Sequence, residues 1–366
     1  MRYQKIGFIG LGLIGGSIAR AIRKKHSEIT MIGYTPHATT VLAAMEDGVI
    51  DEKADAIDAS FSDCDLIFLC APVSDNTKNL IALLPYITKK TILTDIGSVK
   101  KPIHEAVKEQ ALFANFIGGH PMTGSERVGY ANSKAILMEN AYYVLTPEKD
   151  VPQEETDELQ TFVKSLGAIP LIADPAVHDF AVAGISHLPH VAASALVNVV
   201  KTSDENSGLM KILAAGGFKD ITRIASSSPS LWQGIVQNNK KNVLTMLDLY
   251  IRGLQDVRET ITEDDSEELT GFFAEANDYR SSFASTSAGP ILKQYVLYME
   301  IEDKPGELLR VIELLYGETI NIKNLEITHN RETQDGVLKI EFDHDKDLQR
   351  ARVILKDHGY YTEIRN

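Results

Sequence analysis

The sequence predicts an α/β protein in three consecutive parts. Residues 1–173 alternate strand and helix patterns, residues 174–288 are helical throughout, and residues 289–366 form a β-α-β-β-α-β unit. Three observations carry this division. Short apolar runs bounded by turn residues recur between helical patterns through the first part. No strand-like alternation occurs in the second. Strand patterning then returns beyond residues 281–290, a small-residue stretch (Ser-Ser-Phe-Ala-Ser-Thr-Ser-Ala-Gly-Pro) that reads as a linker. A chain of 366 residues also exceeds one ordinary core, so several domains are expected.

Composition narrows the function classes. With 44% hydrophobic and 24% charged residues the chain is globular. Its net charge of −14 speaks against a nucleic-acid or anionic-membrane surface. No apolar run is expected to reach the roughly 20 residues that span a bilayer. Met1-Arg2-Tyr3-Gln4-Lys5 leads straight into a strand with no secretory apolar region. Cys64 and Cys70 fall six positions apart leading into one strand, roughly 20 Å apart when extended and too far for a disulfide. Two reduced packing cysteines point to the cytoplasm.

Taken in order, residues 5–9 form a buried strand, followed by Gly10-Leu11-Gly12-Leu13-Ile14-Gly15-Gly16 and a helix through Lys25. This is G-x-G-x-x-G with a strand before it and a helix after it. Gly10 permits the tight turn, Gly12 lets backbone approach a pyrophosphate, and Gly15 lets helix and strand pack closely. Free N–H groups at the helix start, from Leu13 and Ile14 onward, suit phosphate oxygens. A Rossmann-type dinucleotide-binding domain is therefore expected. A purely structural glycine turn has the same pattern.

The second strand, residues 29–34, ends Gly33-Tyr34-Thr35-Pro36-His37, with no acid for a ribose 2′-hydroxyl and no arginine for a 2′-phosphate. NAD is the expected cofactor, with Tyr34 beside it. Strands 66–70, 91–94 and 116–118 end at Ala71-Pro72, at Asp95-Ile96-Gly97-Ser98 and at His120. Strands 141–145 and 169–172 are expected to complete the same sheet. Ligands of such sheets bind outside the carboxyl ends of the strands, so Gly10, Gly12, Gly15, Ala71, Pro72, Asp95, Ser98 and His120 should converge on one crevice. His120 falls in Gly118-Gly119-His120-Pro121, just past the predicted strand end, where a group titrating near neutrality can serve as a base. A packed turn histidine is the plainer alternative.

The helical part holds an apolar stretch, residues 178–200, that Pro189 should kink or restart. Gly216-Gly217-Phe218-Lys219-Asp220-Ile221-Thr222-Arg223 follows, then the single tryptophan, Trp232, and helices at 240–260 and 263–279. These helices are more apolar than a small bundle needs, which suggests a homodimer interface. The acidic run at 263–268 reads as a solvated helix start. In the last part, a strand at 295–301 precedes Asp303-Lys304-Pro305-Gly306, a helix through Leu315, strands 321–329 and 336–342, a helix 346–358 and a strand 361–364. That order is ferredoxin-like.

With these pieces in view, the chain resembles the prephenate dehydrogenase family of tyrosine biosynthesis with a C-terminal ACT regulatory domain. The resemblance rests on Gly10 to Gly16, on Asp95-Ile96-Gly97-Ser98-Val99-Lys100 and on Gly119-His120-Pro121-Met122. It rests equally on Ser186-His187-Leu188-Pro189-His190 and on Gly216 to Arg223. Five motifs in the family's order are far more specific than any one of them.

The resemblance implies NAD-dependent oxidative decarboxylation of prephenate to 4-hydroxyphenylpyruvate. It implies His120 as the base for the ring hydroxyl, and Ser98 as a group that bonds that hydroxyl or orients His120. Hydride acceptance belongs to the cofactor. Prephenate carries two carboxylates, so the pocket needs cations. Arg223, with its planar fork, is the first candidate, His190 the second and Lys219 a third. Gly216, Trp232 as a pocket wall and Glu126 as a partner for pocket cations complete the set. His187 and His190 are spaced like a metal pair, but no acid or cysteine ligand accompanies them, so no metal is expected. Asp303, Pro305 and Gly306 resemble the turn of ACT domains, which implies an aromatic amino acid, tyrosine, as effector. Arogenate in place of prephenate, or a catalytically silent dinucleotide and amino-acid sensor, are the alternatives.

Overall fold

The computed structural model describes residues 2–112, 114–125, 127–204, 208–283, 295–302, 304–329 and 336–364. Glu126, Asp303 and linker residues 284–290 lie outside the described residues. The chain divides into two compact units, Met1–Phe272 and Phe273–Asn366.

The first unit opens with β1 (Lys5–Ile9), α1 (Leu13–Lys25), β2 (Thr30–Tyr34), α2 (Ala38–Glu46), β3 (Glu52–Lys53), β4 (Leu66–Leu69), α3 (Val73–Leu83), β5 (Ile92–Asp95) and α4 (Lys101–Glu109). Five strands make a parallel sheet in the order β3-β2-β1-β4-β5. Leu-Ile-Phe-Leu of β4 is buried along its whole length, as expected of a strand covered on both faces. Ile18 and Ile22 of α1 and Val41 of α2 pack on one face, while Leu80 and Leu83 of α3 and Ile103 and Val107 of α4 pack on the other. Each such side chain stabilises the fold by roughly 1.5–3 kcal/mol through burial. Strand order reverses between β1 and β4, so a crevice opens above their carboxyl ends.

The remaining strands depart from expectation. β6 (Ile117–Pro121), β7 (Tyr142–Pro147) and, after α5 (Gln153–Ser165), β8 (Ile169–Ile172) form a separate three-stranded sheet. It meets the first sheet at one bridge, Leu93 to Phe116. Side chains take the place of the missing ladder. The Gly119 N–H donates to Asp95 Oδ1 (3.1 Å) and its carbonyl accepts from Lys100 Nζ (2.5 Å), so β6 is fastened to the end of β5 by a buried ion pair. His120 also sits within β6, paired with Val144 of β7, and not in a turn beyond a strand end.

The helices that follow are α6 (Pro175–Val182), α7 (Leu188–Ser203), α8 (Leu209–Leu213), α9 (Gly216–Thr222), α10 (Pro229–Asn238), α11 (Lys240–Thr262) and α12 (Ser266–Ser282). Between α6 and α7 the chain makes a π turn, Ala183–His187. Pro189 has no N–H to donate, and the widened turn adjusts the bonding there, with Leu188 N–H donating to Ala183 O five residues back. The predicted restart is thus a bulge within a continuous run. That run, Pro175–Ser203, has 29 residues, and an 18-residue window within it has a mean hydropathy of 1.5, long and apolar enough by length and composition alone to cross a bilayer. This overturns the expectation of no such stretch. The run nevertheless carries buried His178, Asp179 and His187, which bind it to polar partners inside the unit.

The second unit contains β9 (Tyr295–Ile301), α13 (Glu307–Gly317), β10 (Asn324–His329), β11 (Gly336–Phe342), α14 (Asp345–Asp357) and β12 (Thr362–Glu363). They form an antiparallel sheet in the order β10-β11-β9-β12. Alternate residues Leu297, Met299 and Ile301 of β9 face a core with Val311 and Leu315 of α13 and Leu355 of α14, the period-two pattern of a half-covered sheet.

Candidate active site

The turn after β1 is built for close approach. Gly10 has φ +98°, and a Cβ there would come within 2.8 Å of the Cys70 carbonyl carbon. Its N–H donates to Tyr34 O (2.8 Å), so Tyr34 enters the crevice wall through its backbone. A Cβ on Gly15 would meet Cys70 Cβ at 2.8 Å. Gly12 is different: nothing lies within 4 Å of the Cβ it lacks, so no packing within the protein demands glycine there. It caps α1 without a side chain, which leaves the N–H groups of Leu13 and Ile14 facing outward from the helix start. An open glycine beside uncapped helix donors fits a pyrophosphate. After β4, Asn76 Oδ1 accepts from Ala71 N (3.0 Å) and Asn76 Nδ2 donates to Leu69 O (3.1 Å). This latch sets Ala71 and Pro72 at the start of α3.

At the end of β5, Asp95 is engaged entirely by protein. Both carboxylate oxygens lie 2.6 Å from Lys100 Nζ, and Gly97 N–H donates to Oδ2 (2.9 Å). The Asp95 carboxylate thereby fastens β6 to the end of β5. Burial pushes the Lys100 ammonium down, against the pull of Asp95. The pair is fully enclosed, so losing either partner would strand a charge.

His120 projects from β6 into a cluster that the sequence did not reveal. Its Nδ1 lies 2.8 Å from His178 Nε2, and His178 Nδ1 lies 2.8 Å from Asp179 Oδ1. Asp179 also accepts the backbone N–H of Lys100 (2.8 Å) and Lys101 (2.9 Å) at the start of α4. Burial raises the Asp179 carboxyl, but the bonds from His178 and these two amides outweigh it and leave it below its ordinary value. A carboxylate only accepts, so His178 carries its hydrogen on Nδ1. His178 Nε2 then accepts from His120 Nδ1–H, which leaves His120 Nε2 as a free acceptor. Burial above all, then the fields of His178, Lys100 and His187, holds His120 well below its ordinary value. It stays an unprotonated base at neutral pH.

His178 is thus the partner of His120 Nδ1, and Ser98 stands half-buried at the end of the β5 turn. The His178-Asp179 pair was the missed signal: an adjacent histidine and acid inside an otherwise apolar helix have to find partners when buried.

The π turn and α7 bring further histidines to the cluster. His190 stacks on Trp232 of α10 with ring centroids 3.3 Å apart, and its Nε2 lies 3.5 Å from Ser227 Oγ. His187 meets Trp232 edge-on at 6.1 Å. Gly216 and Lys219 are exposed on α9, and Arg223 is exposed at the start of the 3-10 turn Arg223–Ser226, both packed on α7. Among the described residues no group of three or more metal-ligating side chains occurs.

This arrangement has close relatives. Residues 18–170 match the prephenate dehydrogenase nucleotide-binding domain, and residues 174–275 match the prephenate dehydrogenase dimerization domain. The prephenate dehydrogenase of Bacillus subtilis (strain 168) is 36% identical over 96% of this chain and 95% of its own length. That of Lactococcus lactis subsp. cremoris is 35% identical over 99% of this chain and 100% of its own. Among solved structures, the A. aeolicus prephenate dehydrogenase in complex with hydroxyphenyl propionate and NAD+ is similar at 30% identity and a TM-score of 0.72, over 77% of this chain and 99% of that one. Full-length likeness to these relatives, with the nucleotide turn and the histidine cluster in place, establishes that the chain belongs to the prephenate dehydrogenase family.

Proposed function

We propose that this chain oxidises prephenate with NAD, releasing carbon dioxide and 4-hydroxyphenylpyruvate, with His120 as the general base. The observation that carries the mechanism is the Asp179–His178–His120 chain, which leaves His120 Nε2 as the unprotonated acceptor. NAD, held by the turn from Gly10 to Gly15 and by Ala71 and Pro72, supplies the hydride acceptor. His120 Nε2 takes the proton of the ring hydroxyl as the hydride leaves the same carbon. The imidazolium so formed keeps Nδ1–H on His178, and Asp179 offsets its charge. When the bond to the ring carboxylate breaks, its electron pair flows to the ring oxygen, which recovers the proton from His120 as the ring becomes aromatic. Ser98 is assigned to the same hydroxyl. Arg223, His190 and Lys219 are assigned to the substrate carboxylates, with Gly216, Glu126 and Trp232 completing the pocket.

The test is His120→Asn, assayed by NADH formation from prephenate. Turnover should fall by roughly 10²–10⁴ with substrate binding retained. Full activity would remove His120 from the chemistry.

The helical part is assigned to homodimerisation, supported by exposed apolar residues such as Val199, Leu249 and Leu254. Free Cys64 and Cys70 accord with the reducing cytoplasm. The second unit is assigned as an ACT domain binding tyrosine, for which its strand order and a cavity of about 690 Å³ speak. Glu307, Arg310 and Tyr360 line that cavity, where Pro305 and Gly306 lead into α13; Arg310 suits the effector carboxylate. Tyrosine should inhibit the wild type, and Arg310→Ala should weaken that inhibition roughly tenfold. Undiminished inhibition would place the effector elsewhere.

A further inference from the structure

His187 is 1% exposed, and its Nε2 is buried with no hydrogen-bond partner. Its opposite nitrogen is fully defined. Asn239 Nδ2 donates to the backbone carbonyl of Asp179 (2.6 Å), and its Oδ1 accepts from Asn242 Nδ2 (2.8 Å). A carbonyl cannot donate, so the Asn239 amide cannot be turned over. The same NH2 group lies 3.2 Å from His187 Nδ1, which must therefore accept. The His187 hydrogen is then on Nε2, and that N–H is the orphan. A buried donor left unpaired bears its full desolvation penalty, and such groups mark sites where a ligand completes the bonding.

The surroundings say what kind of ligand. His187 sits on the π turn beside Trp232, one helical turn from His190, and within electrostatic reach of His120 and His178. His120, His190 and Trp232 are the groups assigned above to the substrate. Burial first, aided by His178 and His190 against Asp179, drives His187 down to about 4, so it is an uncharged donor at neutral pH.

We infer that His187 Nε2–H is a substrate-binding donor to a carboxylate oxygen of the bound dicarboxylate. Asp179 thereby assigns opposite roles to two histidines: through its carboxylate it leaves His120 Nε2 an acceptor, and through its carbonyl and Asn239 it leaves His187 Nε2 a donor. An uncharged donor has a chemical advantage here. It orients a carboxylate without adding a further charge to the ground-state hold of the pocket cations.

This inference rests on reading the cleft as the prephenate site, and wild-type turnover of prephenate with NAD tests that reading separately. Within an active wild type, two variants decide the inference. His187→Asn keeps a group at the Nδ1 position to accept from Asn239 but has nothing at Nε2. His187→Gln places an amide donor near the Nε2 position and gives up the Asn239 contact. Asn should raise the KM for prephenate roughly tenfold with kcat changed far less, and Gln should restore most of the affinity. The reverse order, or a wild-type KM in the Asn variant, overturns the inference, since a merely structural histidine would need Nδ1 and not Nε2. Should either variant misfold, wild-type enzyme labelled with heavy nitrogen at histidine decides the matter. Its protonated Nε2 resonance must shift when hydroxyphenyl propionate, a carboxylate-bearing ligand, is added; an unmoved resonance also overturns the inference.

Discussion

Replacing His178 with leucine isolates the contribution of the relay behind the base. His178 is 3% exposed, so an apolar side chain of similar size keeps the packing while deleting the acceptor 2.8 Å from His120 Nδ1 and the donor to Asp179, which retains the Lys100 and Lys101 amides. As His120 takes the substrate proton, its Nδ1–H becomes a charge-assisted donor. Such hydrogen bonds contribute about 1.5–3 kcal/mol. At about 1.4 kcal/mol per factor of ten, kcat should fall about 10- to 100-fold. KM for prephenate should stay near the wild-type value, because the interaction strengthens only as charge develops on His120. The assay is steady-state NADH formation at saturating NAD, with the thermal midpoint checked to confirm folding. His178→Gln, whose side-chain carbonyl can still accept from His120, should recover part of the rate. A folded His178→Leu enzyme with wild-type kcat would refute the relay and leave His178 a packing residue.

Two further expectations follow from the same geometry. Because His120 is held well below the ordinary imidazole value of about 6.5 by burial first and then by His178, Lys100 and His187, protonation removes the base only at lower pH; kcat should remain flat as pH falls through about 6.5, and a midpoint at the ordinary value would contradict this. Gly12→Ala should leave the thermal midpoint unchanged, since no atom lies within 4 Å of the added Cβ, while raising the KM for NAD. Gly10→Ala, at φ +98° and 2.8 Å from Cys70 backbone, should instead destabilise the fold, and equal effects from the two variants would break the distinction between cofactor approach and turn geometry.

Local chemistry carried much of this protein's description. The β1 turn and α1 follow from glycine spacing and apolar periodicity, and β9 and α13 from alternation and a turn signal, because both patterns act over a few neighbouring residues. Nothing local announced that β6 would leave the parallel sheet. That outcome comes from Asp95 and Lys100, whose buried pair occupies the backbone groups of Gly119.

The sequence by itself determined the nucleotide turn and the succession of elements, and its five motifs pointed to His120 as the proposed base. The tertiary structure decided what makes that base work. His120 and His178 are separated by 58 residues, and Asn239 reaches Asp179 across 60. Which nitrogen holds a proton depends on those distant partners, so the tautomers of His120 and His187 exist only in the folded chain.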